Sequence, residues 1–342
     1  MDTLEKQAAK PALLLVFITL PFAAALLSLC TGRYPIPPIT VFRALLQGVS
    51  GRQAGVSAEA MTIITGIRLP RTIMGAFVGA ALAASGTAFQ GVFRNPLVNS
   101  GILGVSSGAS LGAAISILLF QNSTLTPVFA FAFGLMAVFF SYIVGRVHNS
   151  SSTVTLVLGG TIISSIFSSL LSFIKYIADP LNQLPAITFW TMGSLASIVV
   201  SNMKFAIVPI ILGMILLLFN RWNINVLSMG DQEAKMLGLN TGATKLTVIL
   251  GATLATAGAV CVSGTIGWVG LIVPHMARML TGNDNRRLMP VSISMGACFL
   301  VMVDVLCRVI SDAEIPIGIM TSIIGGPFFI YLIKKKKGDG WT

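Results

Sequence analysis

Apolar runs of roughly 20 residues, the length that crosses a bilayer as an α-helix, recur along nearly the whole chain between short polar or Gly-rich breaks. They predict about ten transmembrane helices, over residues 12–31, 65–91, 101–120, 127–146, 154–177, 203–222, 245–263, 266–281, 289–310 and 315–333. The eighth is short and rich in glycine. The first follows Lys6 and Lys10 as a signal peptide would. It is long enough to span, however, and Cys30-Thr31-Gly32-Arg33 is not a small-x-small cleavage site, so it is expected to remain as helix one. No charge-rich block is long enough to fold apart from these runs. The expected fold is an all-α polytopic membrane protein forming one domain over residues 1–342.

Composition supports a solvent other than water. Of the 342 residues 55% are hydrophobic and 10% charged, against about a quarter charged in soluble domains. The net charge of +11 would suggest nucleic acid in a soluble protein. Here it is explained by basic residues gathering in cytoplasmic loops beside anionic lipid, so the lipid bilayer and no nucleic acid is the expected partner. Cys30, Cys261, Cys298 and Cys307 lie in or beside apolar segments without C-x-x-C spacing and read as packing residues.

An even number of spans places both termini on one side, and the lysine run Lys334-Lys335-Lys336-Lys337 argues that this side is the cytoplasm. Arg33, Arg43, Arg52, Arg68 and Arg71 then fall outside, between the first two helices, against the usual bias. Arg68 and Arg71 stand i, i+3 at the outer mouth of helix two. Two fixed cations facing outward would suit an acidic protein partner.

The octet Gly79 to Gly86 in helix two (GAALAASG) returns as Gly251 to Gly258 in helix seven (GATLATAG). The two helices are five crossings apart, so a duplication would be an inverted internal repeat, with one half over 65–177 and the other over 245–333. Small residues at four-residue spacing, Gly75, Gly79 and Ala83, and Gly104, Gly108 and Gly112, are expected to let helix backbones approach closely.

No lysine is followed by Ser or Thr, so the chain lacks a nucleotide-binding P-loop, and any ATP must be bound by another chain. The clear ionisable residue within a span is Asp304. It stands i, i+4 from Arg308 and reads as half of an ion pair and not as a proton relay. Helix five carries Thr161, Ser164, Ser165, Ser168 and Ser172 on one face. Those hydroxyls either bond to their own helix or a neighbour, or line a pathway. The connection 223–244 contains a short helix near Asp231, Glu233, Ala234, Met236 and Leu237 that stops at Gly238, a tip able to press into a groove on a motor subunit.

Several of these stretches resemble one family. Arg68-Leu69-Pro70-Arg71, Arg94-Asn95-Pro96-Leu97, Leu103 to Gly108 (LGVSSG), Trp190-x-x-Gly193-Ser194, Gly264 to His275 (GTIGWVGLIVPH) and Glu314 to Gly318 (EIPIG) are similar to the FecCD-type permeases, which serve ABC importers of ferric siderophores, heme and vitamin B12. The resemblance implies ten helices in the bacterial cytoplasmic membrane and a second permease subunit, identical or paralogous. It also implies cytoplasmic ATPase subunits and an extracytoplasmic substrate-binding protein, with no cofactor and no covalent chemistry. By the same resemblance Arg68, Arg71 and Arg308 would meet the binding protein, Asn95, Leu97, Ser152 and Thr153 would form the cytoplasmic gate, and Gly230 to Gly238 would be the coupling helix. The chain departs from the family where a proline is frequent near Asn99-Ser100-Gly101 and where Phe is frequent at Trp268. His275 is expected in a structural Pro-His turn and His148 in a loop, so no metal site is expected. An ion-coupled carrier and a non-transporting scaffold are the rival readings.

Overall fold

The computed structural model describes residues 2–50, 55–120, 124–146, 153–198, 200–311 and 313–335, and among these it is helical without any strand. The helices in chain order are α1 (Asp2–Cys30), α2 (Pro38–Ser50), α3 (Ala58–Met61), α4 (Leu69–Val92), α5 (Val105–Phe120), α6 (Leu125–Gly145), α7 (Thr153–Ile177), α8 (Gln183–Met192), α9 (Val200–Met229), α10 (Asp231–Met236), α11 (Thr241–Ser263), α12 (Val269–Thr281), α13 (Asn285–Val309) and α14 (Ile317–Lys335). Six helical segments are long and apolar enough to cross a bilayer, and four shorter apolar helices, Val16–Cys30, Val105–Phe120, Val269–Thr281 and Ile317–Leu332, complete the expected ten. Helix α3 runs into α4 through a π-helical turn over Thr62–Arg68. That turn ends just before Pro70, which has no N–H to give and crowds the carbonyl four residues back.

Three features depart from the expectation. Helices α2 and α8 lie in connections left unassigned, and α9 continues to Met229, so the connection expected over 223–244 is reduced to 230–240. The helix at α2 is only 13 residues long, below the length of a span. It is held by a separate cluster in which Val41, Ala44 and Ile64 are buried with Leu29 and Ile36.

Burial divides the bundle into a centre and a rim. The apolar windows of Ala58–Val92 and Thr241–Ser263 are 83% and 72% buried, whereas those of Leu125–Gly145, Thr153–Ile177 and Met203–Met229 are 33%, 28% and 22% buried. Thus α4 and α11 form the axis, and α6, α7 and α9 leave apolar faces on the outside of the bundle. Small residues make the axis possible, as their spacing suggested. A Cβ at Gly79 would fall on the Gly296 carbonyl, and one at Gly108 or Gly112 would strike the backbone of Phe133 or Phe129. The two octets meet: Ser85 Oγ donates to the Ala252 carbonyl at 3.1 Å. Met74, Val78 and Leu82 share a cluster with Ala255 and Ala259, and Ala88 and Phe89 share one with Val248 and Ile249. The order ascends in α4 while it descends in α11, so the helices run antiparallel.

Candidate functional site

Most of the candidate residues gather at the two ends of this axis. At the end expected to face outward, near the start of α4, Arg71 sits between two carboxylates. Its Nε lies 2.9 and 3.1 Å from the two Asp304 oxygens, and Nη1 lies 3.0 Å from both Glu314 oxygens. Asp304 also pairs with Arg308 at 3.1 Å, the expected i, i+4 ion pair. Arg308 in turn donates to Ser28 Oγ at 2.7 Å, and Ser28 shares a 2.7 Å bond with Thr72 Oγ1. Arg68 donates to the carbonyls of Leu29 at 2.8 Å and Tyr34 at 2.6 Å.

Arg68, Arg71 and Arg308, which the resemblance would bring to the binding protein, are 5%, 5% and 8% exposed and find partners within the chain. Buried guanidinium groups need hydrogen-bond partners and, where possible, counter-ions; the carboxylates of Asp304 and Glu314 serve Arg71 and Arg308, and backbone carbonyls alone serve Arg68, joining α1, α4, α13 and the segment before α14. Spacing on one helix face could not reveal this, because Ser28, Asp304 and Glu314 are remote in sequence. Glu314, with a side chain 38% exposed, is the part of the cluster that reaches the surface.

Close to this end the chain forms a cavity of about 270 Å³ lined by Phe189, Trp190, Ser194, Ser197, Ser263 and Gly264, among others. Sequence reasoning missed it, although both motifs that build it, Trp190-x-x-Gly193-Ser194 and the stretch from Gly264, stood out. They meet because Ser194 N donates to the Ser263 carbonyl at 2.8 Å and Thr265 Oγ1 donates to the Thr191 carbonyl. Of the hydroxyl row on α7, Thr161, Ser165, Ser168 and Ser172 are exposed and Ser164 is half-buried. Thr161 bonds to the Leu158 carbonyl at 2.8 Å and Ser172 to the Ser168 carbonyl at 3.0 Å, so part of the row is satisfied by its own helix while its face stays open.

At the opposite end the segment after α4 is shaped by two Asx turns. Asn95 Oδ1 accepts from Leu97 N at 2.9 Å and Asn99 Oδ1 accepts from Gly101 N at 3.0 Å, which settles the local turn where the family's proline is missing. They leave Leu97 51% exposed. Gln90 braces the segment, donating to the Val98 carbonyl at 3.3 Å and receiving Arg278 at 2.9 Å. Thr153 begins α7 and is half-buried; Ser152, Arg52 and His148 lie outside the described residues.

Helix α10 is at this same end. Met236 and Leu237 are 79% and 60% exposed. Two of the residues grouped with them turn inward instead. Ala234 is fully buried in the cluster that holds Ile224, Leu227 and Val248, and Asp231 is bound to the buried Lys245 at 2.5 Å. Asp231 and Ala234 therefore fasten the tip to the bundle. Gly238 has φ +80°, a conformation that favours glycine, and ends the helix as expected. Among the described residues no group of His, Cys, Asp and Glu is arranged to hold a metal. His275 packs edge-on against Phe329, and Trp268 does the same.

This architecture is that of a multi-pass permease, and comparison with known proteins defines its class. The chain belongs to the FecCD transport family, which matches residues 18–335. It is 38% identical to the molybdate import system permease protein MolB of Haemophilus influenzae, over 96% of this chain and 97% of the relative. It is 39% identical to an iron chelatin transport system permease protein of Helicobacter pylori, over 81% of this chain and 83% of the relative. A solved chain described as an inward-facing conformation of a metal-chelate type ABC transporter superposes with a TM-score of 0.84 at 36% identity, covering 95% of this chain and 99% of that one. The protein is thus an ABC importer permease of the metal-chelate type.

Proposed function

We propose that this chain carries a ferric siderophore or a related metal chelate inward across the bacterial cytoplasmic membrane, as one of two permease subunits driven by cytoplasmic ATPases and supplied by an extracytoplasmic binding protein. The observation that carries the reading is the full-length likeness to a metal-chelate type transporter, joined to an exposed apolar tip on α10. Both termini are assigned to the cytoplasm, on the lysine run Lys334-Lys335-Lys336-Lys337. The chain is one permease domain, whose halves over 65–177 and 245–333 are taken as inverted repeats because α4 and α11 cross antiparallel through matching octets.

The geometry suggests how the work is divided. Nucleotide-driven closure of the ATPases would press on Met236 and Leu237 and rock two permease subunits about the open hydroxyl face of α7, giving alternating access. Asn95, Leu97, Ser152 and Thr153 would close the path at the cytoplasmic side. With its guanidinium groups already hydrogen-bonded within the chain, the arginine cluster would stiffen the outer docking surface and present Glu314 to the binding protein. A charge-reversal at Arg68 or Arg71 would then weaken docking through loss of that support.

Cargo is the open choice, since one relative is named for molybdate and another for an iron chelate. The cavity favours an organic chelate: two aromatic rings and three hydroxyls line it, and none of its lining residues is charged, whereas a bare oxoanion would want cationic or backbone N–H partners. The test is uptake by the complete transporter in proteoliposomes, with a ferric siderophore, hemin, cobalamin or molybdate loaded on the binding protein. Accumulation of the ferric siderophore supports the reading; accumulation of molybdate alone would overturn it.

A further inference from the structure

Lys245 is a costly residue for its place. It lies in the opening turns of α11 (Thr241–Ser263), where the helix dipole disfavours a cation, and it is only 2% exposed. Its ammonium meets Asp231 Oδ2, the first residue of α10, at 2.5 Å. Burying such a charge is unfavourable without a close counter-ion, so the pair holds α10 against α11 wherever α11 goes.

The backbone alone would be a soft connection between these helices. Helix α10 is flanked by Gly230 with φ +140° and Gly238 with φ +80°, positions that pivot readily. The side-chain pair bypasses the second pivot. Beyond it, α11 is well placed to carry movement. Its 23 residues reach about 35 Å at 1.5 Å each, and its backbone lies directly on α9, where a Cβ at Gly213 would strike Gly251 and Ala255. At its far end the Ser263 carbonyl holds Ser194 N at 2.8 Å, and Ser263 itself lines the cavity with Trp190 and Ser197.

We propose that the Lys245–Asp231 pair is the strut that delivers displacement of α10 along α11 to the cavity at its other end, which makes Lys245 a positioning residue for transport. The inference rests on the coupling role proposed above for α10, and the two are separated by experiment. Ser197, exposed at the cavity, is changed to Cys and labelled with bimane, which Trp190 quenches at short range; the part-exposed Cys30 and Cys298 are replaced by Ala. The complete transporter in nanodiscs is then mixed with ATP and vanadate. The expected result is a change in bimane emission in this background. It is lost with Lys245→Met and with Asp231→Asn, and it returns in the charge swap Asp231→Lys with Lys245→Asp. Unchanged emission responses in both single variants overturn the strut. Loss in the singles without recovery in the swap also overturns it, because a lysine needed only for packing gives that pattern. Cross-linking of Leu237→Cys to the ATPase is measured in parallel. Its absence in the otherwise native chain overturns the coupling reading and the strut with it, whereas its presence with unchanged emission responses removes the strut alone.

Discussion

Replacing Asp304 with Asn removes one charge and almost no volume, so its cost measures the arginine cluster directly. The native carboxylate is 1% exposed and serves Arg71 at 2.8 Å and Arg308 at 3.1 Å. Breaking a buried pair from one side costs about 3–5 kcal/mol, because the remaining charge stays buried without compensation. Glu314 still faces Arg71 in the variant, and as a half-exposed group it offsets about 1 kcal/mol. Arg308 keeps its bonds to Ser28 and to the backbone carbonyl of residue 304 but loses its counter-ion. The net loss is therefore about 2–4 kcal/mol, a roughly 30- to 1,000-fold fall in the folding equilibrium. Equilibrium unfolding of purified protein in mixed detergent micelles reads this value. Adding Arg308→Met to Asp304→Asn is expected to restore part of the loss, since it deletes a stranded cation. A cost below about 0.5 kcal/mol for Asp304→Asn, the range of ordinary surface changes, would refute the reasoning that these arginines are held internally.

The other predictions concern the axis, the tip and a cap. Gly79→Val should abolish recovery of folded protein on size-exclusion chromatography, because its Cβ has the Gly296 backbone in its place, whereas Gly326→Ala, with open space around its Cβ, should be recovered like the native chain. Gly238→Pro forces φ from +80° to about −65° and removes the N–H that bonds to the Lys235 carbonyl at 2.9 Å; ATP hydrolysis by the assembled transporter should continue while uptake falls, and normal uptake would contradict the role given to α10. Asp284 caps α13 by accepting from Arg286 N at 2.9 Å and from Asn225 at 2.6 Å, bonds that hold its pKa below the ordinary carboxylate value. Because the folded value is the lower one, the cap's stabilisation is complete above the unfolded pKa of about 3.9 and is lost as pH falls through the folded value. Asp284→Ala should then cost about 1 kcal/mol at pH 7, with the gap to the native chain closing in acid.

How far the sequence revealed this molecule depended on the range of each signal. The ten apolar spans were legible because lipid imposes length and composition on every helix that crosses it. The Gly stripes were legible because close backbone approach leaves few alternatives to glycine. Helices α2 and α8 were hidden, since 13 and 10 residues are too few to register as spans. The internal partners of the arginines were hidden for a related reason. Charge counting tells which end of a span a cation occupies, but whether it faces water or an internal carboxylate depends on contacts such as Arg71 with Asp304, 233 residues apart. Lys245 went unread in the same way, because nothing local to it marks it as the buried partner of Asp231.

Transport by this permease depends above all on the source of the driving force. Accumulation of a radiolabelled ferric siderophore inside proteoliposomes, measured with the permease alone and with the ATPase and binding protein present, tests it most directly. Uptake is expected to require ATP together with the ATPase and to be indifferent to imposed proton or sodium gradients. Accumulation by the permease alone under such a gradient would contradict it.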